Sequence, residues 1–168
     1  MCIRDSNKPI TLIIGFAPGG PTDAIGRVLF KTVSQKLKVP IIIENKPGAG
    51  GNIGTAELMR AKPDGYTLLY GTSSITTAPP LFGRDGLNPK TAFLTASCSV
   101  SVPLILLTNK AMDQQSATQF YDTVKANPGK YFQGSSGNGA IDHLVSMDIA
   151  NRMGLDIQHV PYKGNGPA

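Results

Sequence analysis

The chain has 168 residues, of which 40% are hydrophobic and 16% are charged, so a packed core is expected and extensive disorder is excluded. Its formal net charge is +5, but the Lys and Arg residues are scattered, and nucleic-acid binding requires a clustered basic patch. A modest positive field does attract anionic solutes. The 19 Gly and 13 Pro residues indicate many tight turns between short elements, which is typical of an α/β chain.

The amino-terminal residues and the two cysteines carry little functional information. Residues 1–6 lack the apolar stretch of a signal peptide, and we interpret them as a leader foreign to the native protein. No run of 18 apolar residues offers a membrane span. Neither Cys2 nor Cys98 has a cysteine or histidine at a spacing that suggests metal or redox chemistry, and we expect Cys98 to be a small buried hydrophobic residue.

Strand-like and helix-like segments alternate in the first 70 residues. Short apolar runs at residues 10–14 and 41–44 predict buried strands, and residues 66–70 predict a third strand. Helical periodicity lies between them, and Thr22 or Asp23 is expected to cap the first helix by accepting a backbone N–H bond. A β-α-β-α-β order predicts a parallel sheet with right-handed crossovers.

The second half repeats this alternation after a weaker stretch. We interpret residues 76–95 as a connection, because proline pairs interrupt the pattern, and residues 102–108 as a strand. A capping box at residues 116–119 predicts the start of a helix. The remaining predicted elements are a strand at 131–133, a helix with an apolar stripe from Ile141 to Met153, and a strand at 157–160.

Three loops of one type are the most informative feature. Residues 16–23, 45–52 and 134–139 each follow a predicted strand, contain several glycines and precede a predicted helix. Glycine allows the backbone to approach a ligand closely, and the first turn of a helix offers unpaired N–H donors and a partial positive charge. Any one of these loops is explained most simply as an ordinary turn, but their repetition favours a site for a carboxylate or phosphate.

The loop from Gly48 to Gly54 also suggests an alternative function, a nucleotide-binding α/β enzyme. Its pattern is G-x-G-G-x-x-G instead of G-x-G-x-x-G, and Tyr70 and Gly71 stand where an acidic residue for the ribose is expected. No Ser, His and Asp spacing suggests a catalytic triad, and no cluster has metal-ligand spacing. We therefore predict a protein that is not an enzyme, with no catalytic residues, no metal and no cofactor.

The two histidines each have more than one interpretation. His143 lies in the first turn of a predicted helix, where it either packs against the preceding loop or donates to a ligand. His159 lies on a predicted strand and is interpreted as a half-buried strand residue.

Several of these segments resemble the Bug, or TctC-like, solute-binding receptors. The stretch Phe16-x-Pro18-Gly19-Gly20-x-x-Asp23, with Arg27, resembles the first signature of that family, and Glu44-Asn45-x-Pro47-Gly48-Ala49-Gly50-Gly51-Asn52-Ile53-Gly54 resembles the second. Pro63-Asp64-Gly65-Tyr66-Thr67-Leu68 is similar to the third. Pro128-Gly129-Lys130, the loop at residues 134–139 with His143, and Val160-Pro161-Tyr162-Lys163-Gly164 recur in order. The similarity extends from about residue 8 to residue 168.

The resemblance implies an α/β fold of the periplasmic-binding-protein type II (Venus flytrap) class, with two αβα lobes. We expect residues 7–100 to form the first lobe, residues 101–168 to begin the second, and the fold to be incomplete at the C-terminus. The implied function is extracytoplasmic binding of a di- or tricarboxylate, an amino acid or an aromatic acid. The solute would be enclosed by cleft closure and delivered to the permease of a tripartite tricarboxylate transporter. We expect a periplasmic monomer, with a membrane sensor kinase as a further candidate partner and no nucleic-acid partner.

The resemblance also implies which residues contact the ligand. The backbone of the first loop and the Asp23 side chain would act through ordered water, and the other loops would line the remaining walls. The expected ligand-binding residues are Ala17, Pro18, Gly19, Gly20, Thr22, Asp23, Asn45, Ala49, Gly50, Thr72, Ser73, Ser135, Ser136, Gly139 and His143.

Overall fold

The computed structural model describes residues 8–81 and 89–168, so the leader predicted at residues 1–6 lies outside it. The strands are β1 (Ile10–Ile14), β2 (Ile41–Asn45), β3 (Thr67–Tyr70), β4 (Tyr131–Ser135) and β5 (Ile157–Pro161). The helices are α1 (Pro21–Leu37), α2 (Asn52–Arg60), α3 (Ser74–Leu81), α4 (Pro89–Ala92), α5 (Ala117–Lys125) and α6 (Ile141–Met153). None of the described helices combines the length and the apolarity needed to cross a membrane.

The first three strands form a parallel sheet in the order β2-β1-β3, as the β-α-β-α-β pattern predicts. Helices cover both faces of this sheet. In α1, Gly26 lies against Ile14 and Tyr70, whereas Gly54 of α2 lies against Gly15 and Ile13. Because β1 is central and its carboxyl end is flanked by the ends of β2 and β3, the loops that follow these strands lie at one edge of the sheet.

Burial within the sheet is concentrated in β1, where Ile10, Leu12, Ile13 and Ile14 are each at most 2% exposed. Each such isoleucine or leucine side chain contributes about 1.5–3 kcal/mol of hydrophobic stabilisation. The prediction that β2 is also a buried strand is wrong, because its side chains alternate and Ile42 is 52% exposed. In the described sheet β2 is an edge strand with one covered face, and three consecutive isoleucines do not reveal this.

The start of α1 also differs from the prediction. Gly20 is the N-cap and makes no side-chain capping bond, while Pro21 takes the first helical position. Proline suits this position because its missing N–H would have no partner there. Thr22 and Asp23 therefore lie inside the first turn, and neither is the cap.

Two predictions about the segment between the sheets are wrong. Helix α3 begins at Ser74, just before the stretch at residues 76–95 that was interpreted as a connection, and continues into it; the N–H groups of Ile75 and Thr76 donate to the carbonyls of Thr72 and Ser73. This turn starts a helix before the prolines are reached, and residues 82–88 of the same stretch lie outside the described part.

The predicted strand at residues 102–108 has no strand partner among the described residues and is irregular and exposed. Ile105 is 74% exposed and Leu107 is 83% exposed. Cys98 is likewise exposed, which corrects the expectation that it is buried. An apolar run supplies the composition of a strand, but a strand also needs a neighbouring strand to receive its backbone hydrogen bonds.

The second sheet consists of β4 and β5, paired in parallel from Tyr131 opposite Ile157 to Ser135 opposite Pro161. Helix α5 begins as the capping box predicts, since the Ser116 Oγ accepts from the Gln119 N–H at 3.2 Å. Helix α6 ends at Gly154 in the left-handed conformation, which is the expected C-terminal signal. In this β4-α6-β5 unit, the third glycine-rich loop lies between β4 and α6, and the next loop follows β5.

Candidate functional site

Four loops follow the carboxyl ends of the strands and meet in one place. The first, second and third loops are residues 16–23, 45–52 and 134–139, and the fourth loop is residues 162–166. The Ala17 N–H donates to the Lys163 carbonyl at 2.9 Å, which joins the first loop to the fourth. The backbones of the second and third loops touch at Gly50 and Gly137. The loops therefore lie together in one place, as an anion site built from several loops requires.

The contact between the second and third loops requires glycine on both sides. Gly137 has φ of 140° and Gly50 has φ of 61°, conformations that L side chains adopt rarely or with strain. A Cβ on Gly137 would lie 2.8 Å from the Gly50 nitrogen, and a Cβ on Gly50 would lie 2.7 Å from the Asn138 oxygen. The glycines thus allow two backbones to approach more closely than any side chain permits.

The Asp23 carboxylate organises the first loop from inside α1. Its Oδ2 accepts from the Gly19 N–H at 3.0 Å and from Arg27 Nε at 2.9 Å, and its Oδ1 accepts from Asn45 Nδ2 at 2.9 Å. The hydrogen bond from Arg27 lowers the pKa of Asp23 from 3.8 to about 2, with smaller contributions from Gly19 and Asn45, while burial opposes the shift. The same pair raises the pKa of Arg27. Asp23 is therefore ionised at neutral pH, and both of its oxygens accept hydrogen bonds within the protein.

Asn45 connects the end of β2 to the first loop. Besides its bond to Asp23, its Nδ2 donates to the Phe16 carbonyl at 2.9 Å, and its Oδ1 accepts from Arg27 Nη2 at 3.0 Å. Both polar atoms of the side chain are thus engaged within the protein. In this arrangement Asp23 and Asn45 set the shape of the first loop.

The second loop contains a short 3₁₀ turn at Ala49–Gly51 that leads directly into α2. The Gly51 N–H donates to the Gly48 carbonyl at 3.0 Å, and the Asn52 side chain donates to the Ala49 carbonyl at 2.6 Å. Ala49 itself has φ of 47°, an unusual conformation for alanine. The turn therefore holds its backbone in a fixed and partly strained form beside the third loop.

The residues after β3 include Ser73, which is in the predicted ligand-binding set, and Ser74, which is not. Ser73 is exposed, and its carbonyl accepts from Thr76. Ser74, which is 4% exposed, lies against Gly51 and shares a 2.8 Å hydrogen bond with the Thr72 hydroxyl. A cavity of about 10 Å³ at this point is lined by residues that include Thr72, Ser74 and Gly51, which leaves space for about one water molecule.

In the third loop, the donors of Ser135 and Ser136 have partners within the protein. Ser135 is 1% exposed, and its Oγ lies 2.6 Å from His159 Nε2 and accepts from the Gly137 N–H at 3.2 Å. The Ser136 N–H and Oγ both donate to the Asp142 carboxylate at 2.7 Å. These serines therefore shape the loop as Asp23 shapes the first one.

His143 packs against the third loop, one of its two predicted interpretations. Its Nδ1 accepts from the Gly139 N–H at 3.1 Å, and its ring stacks on that of His159 with the centroids 3.8 Å apart. The Gly139 carbonyl accepts from the Thr77 hydroxyl at 3.0 Å, which connects this loop to α3 beside the first sheet. His159 is half-buried, as predicted for a strand residue.

Sequence reasoning missed Asp142, the contact between His159 and Ser135, and the fourth loop as a contact of the first. Asp142 had a readable signal, because an acidic residue in the first turn after a glycine-rich loop can accept the amides of that loop. The contact between His159 and Ser135 had none, since it depends on the register between β4 and β5.

The contact between Ser135 and His159 does not form a hydrolytic triad. A serine nucleophile must be reachable, but Ser135 is 1% exposed, and both oxygens of the nearby Asp142 carboxylate accept from Ser136. Within residues 8–81 and 89–168, no group of three or more His, Cys, Asp or Glu side chains is placed to hold a metal ion.

Comparison with known proteins agrees with the loop pattern. The profile described as "Tripartite tricarboxylate transporter family receptor" (TctC) matches residues 25–168. The chain belongs to this family. Two curated relatives from Bordetella pertussis, a UPF0065 protein and the protein BugT, are 37% and 36% identical over 165 and 163 residues. These matches cover 95% and 96% of this chain but 49% and 50% of the relatives, so the chain spans about half the length of these two curated relatives.

Solved structures of similar proteins confirm the predicted fold class. The periplasmic binding protein BugD is 33% identical with a TM-score of 0.88. An R. palustris protein with adipate is 29% identical with a TM-score of 0.90, and MatC from Rhodopseudomonas palustris with bound malate is 28% identical with a TM-score of 0.85. The matches cover 96%, 97% and 96% of this chain and 54%, 55% and 55% of those chains, in the same order. The chain therefore has the α/β fold of the TctC and Bug periplasmic binding proteins over the part it covers.

Proposed function

We propose that this chain forms part of a periplasmic receptor that binds a small carboxylated solute and delivers it to the permease of a tripartite tricarboxylate transporter. The observation that carries the proposal is the meeting of four strand-end loops, three of them rich in glycine, at one location. Similar proteins with adipate or malate support a dicarboxylate as the ligand class. Their dicarboxylates also argue for a solute with two anionic ends.

Backbone amides provide the proposed carboxylate contacts. In the described part of the chain, the N–H groups of Thr22 and Asp23 in the first turn of α1, and of Ile141 and Asp142 in the first turn of α6, have no hydrogen-bond acceptor. Helix starts of this kind carry partial positive charge and bind anions without a cationic side chain. One carboxylate at α1 and the other at α6 would use both sheets.

The side chains expected at the ligand then have two roles. Asp23, Asn45, Ser135, Ser136 and His143 hold the loops in shape through the hydrogen bonds described above. The remaining expected contacts are proposed to act through backbone atoms or at the rim, and they are Ala17, Pro18, Gly19, Gly20, Thr22, Ala49, Gly50, Thr72, Ser73 and Gly139.

Binding is proposed to involve closure of two lobes, residues 7–100 and the lobe that begins at residue 101. The structure has the loops in direct contact, so a solute would enter when they separate and be enclosed when they return. Closure is favourable with ligand because the α6 donors are added only in the closed state, which the ligand therefore prefers. A periplasmic monomer is sufficient for this mechanism, and a membrane sensor kinase is a further proposed partner.

A thermal-stability series tests the proposal. The protein is expressed from the complete reading frame that contains this sequence, and its melting is measured with malate, adipate, citrate, glutamate and benzoate. A ligand at 100 times its Kd adds about 2.7 kcal/mol to the free energy of unfolding, which raises the melting temperature by several degrees. Adipamide is the matched control, because it keeps the carbon chain but lacks the charges.

The possible results separate the two candidate functions. Stabilisation by at least one carboxylate and none by the amide supports the receptor. A flat series with every acid, combined with stabilisation by NAD or FAD, would replace it with the nucleotide-binding alternative at residues 48–54. A flat series throughout would remove the carboxylate proposal.

A further inference from the structure

The third loop is held by a pair of stacked histidines. His143, from α6, and His159, from β5, lie with ring centroids 3.8 Å apart and an interplanar angle of 21°. His143 fixes the end of the loop through the Gly139 N–H, and His159 fixes its start through the Ser135 hydroxyl. The two rings thus act on both ends of one five-residue segment.

The contact between Gly139 and His143 depends on the protonation state of the His143 ring. The Gly139 N–H donates to Nδ1 of His143, so this nitrogen must be unprotonated, and a protonated ring would have no acceptor to offer. A second charge on the stacked ring would add repulsion at close range. A neutral His143 is therefore the form that fits the observed loop, and a charge on both stacked rings is unfavourable.

The surroundings favour the neutral form at His159. Burial is the main cause that lowers its pKa, and the neighbouring His143 adds to the effect. Asp142, also on α6, is the charged group that opposes it, but its carboxylate is bound to Ser136. The Tyr162 ring, from the fourth loop, covers Gly134 on the adjacent strand.

We propose that His143 and His159 are positioning residues that keep the third loop in its binding shape only while both imidazoles are neutral, so that affinity for a carboxylate falls in mildly acidic solution. This inference rests on the proposed receptor function and adds a pH dependence to the same site. It runs against the simple electrostatic expectation, in which a protonated histidine near the site would strengthen anion binding.

The sign follows from proton linkage. When the loop is released, His159 regains an ordinary pKa near 6.5, whereas the ordered loop holds its pKa lower. Well above pH 6.5 His159 is neutral in both states and the ordered loop has its full stability. As the pH falls below 6.5 the released loop binds protons first, so the ordered, binding-competent loop is progressively lost.

Calorimetric titration with malate and adipate at pH 7.5 and pH 5.5 measures the effect, using protein from the complete reading frame. The double variant His143→Asn and His159→Gln is the matched control. Asparagine retains an acceptor near the Nδ1 position and glutamine retains a polar group near Nε2, but neither titrates. The pH dependence of binding by the double variant therefore measures the contribution of the ligand's own ionisation.

We expect the parent protein to lose more affinity than the double variant between the two pH values, by about threefold or more, because the released loop takes up protons before the ordered loop does. The affinity of each protein at pH 5.5 is compared with its own affinity at pH 7.5, so a general loss of binding in the double variant does not enter the comparison. Equal pH profiles, or tighter binding by the parent at pH 5.5, would overturn the inference.

A second readout separates this inference from the proposed function. The second readout is the protection of the Gly139 amide from hydrogen exchange in the ligand-free protein, corrected for the intrinsic pH dependence of exchange. As the pH is lowered from 7 to 5.5, this protection should decrease in the parent and stay constant in the double variant. If no carboxylate binds at any pH while this change occurs, the receptor proposal fails and the histidine pair still controls the loop. If protection is constant in both proteins, the histidine inference fails.

Discussion

Asn45 donates from Nδ2 to Oδ1 of Asp23 over 2.9 Å, which joins the end of β2 to the first turn of α1 across 22 residues of sequence. The same amide donates to the Phe16 carbonyl at 2.9 Å. One side chain therefore sets the position of the first loop relative to the second. A receptor that uses backbone amides needs such a device, because amides bind an anion well only when they are held in place beforehand.

Substitution of Asp23 tests whether this residue organises the first loop, and the exposed ion pair between Asp148 and Arg152 provides the comparison. Asp23→Ala leaves the Gly19 N–H, Asn45 Nδ2 and Arg27 Nε without their acceptor, and we expect a loss of about 2–3 kcal/mol in the free energy of unfolding. Asp148 forms the same i,i+4 pair with Arg152, but both side chains are more than half exposed. Asp148→Ala should therefore cost about 0.5 kcal/mol or less in the same urea titration. Equal losses would mean that Asp23 is not an organising residue.

The lowered pKa of Asp23 predicts a specific acid sensitivity. Its folded pKa is about 2 and its ordinary value is 3.8, so the stabilisation is complete above pH 3.8 and is lost as the pH falls toward 2. The loss attributable to this residue is on the order of 1–2 kcal/mol. Asp23→Asn should remove this part of the acid dependence, as measured by urea unfolding at pH 5, 4 and 3. A variant that follows the parent at all three values would contradict the prediction.

The contact between Gly137 and Gly50 predicts an unequal response to alanine at two glycines. Gly137→Ala places a Cβ 2.8 Å from the Gly50 nitrogen at φ of 140°, and we expect a cost above about 2 kcal/mol together with separation of the two loops. Gly154→Ala is the control, because Gly154 also has positive φ but no atom lies within 4 Å of the added Cβ. It should cost about 1 kcal/mol. Denaturant titration gives both values, and similar costs would count against the close approach of the loops.

Thr77 predicts a coupling between α3 and the third loop. Its hydroxyl donates to the Gly139 carbonyl at 3.0 Å, whereas the hydroxyl of Thr76 donates only locally, to the Ser73 carbonyl at 2.7 Å. Thr77→Val should speed amide exchange in residues 136–140 and cost about 1 kcal/mol of stability. Thr76→Val should leave exchange in that segment unchanged. If both variants behave alike, Thr77 does not connect the two parts.

Much of the first sheet can be predicted from the sequence, because the composition of each segment there agrees with its place in the fold. The isoleucine-rich run of β1 predicted a buried strand, and the glycine-rich loops after β1 and β2 fall where predicted. The position of β2 at the edge was not readable, since a strand's neighbours are set by topology and not by its own composition. Residues 102–108 show the same limit, because no local feature reports whether a partner strand is present.

The sequence indicates which loops lie together, but it does not reveal the hydrogen-bond partners of their polar side chains. Glycine patterns identified which loops belong together, and those loops do meet. The polar side chains were expected at the ligand, but Asp23, Asn45 and Ser136 have their hydrogen bonds inside the loops. Sequence reveals that such a residue is polar and near the site, whereas its partner depends on residues distant in the chain, as with His159 and Ser135.

The central claim is that backbone amides of several loops hold one carboxylated solute. The most direct measurement is the change in amide ¹⁵N–¹H chemical shifts when malate or adipate is titrated into protein from the complete reading frame. We expect the largest shifts at amides of the first and third loops and the helix starts behind them, including Gly20, Thr22, Gly139 and Ile141, saturating with one common affinity. Saturable binding with shifts concentrated away from these loops, or no shift with any dicarboxylate, would contradict the account.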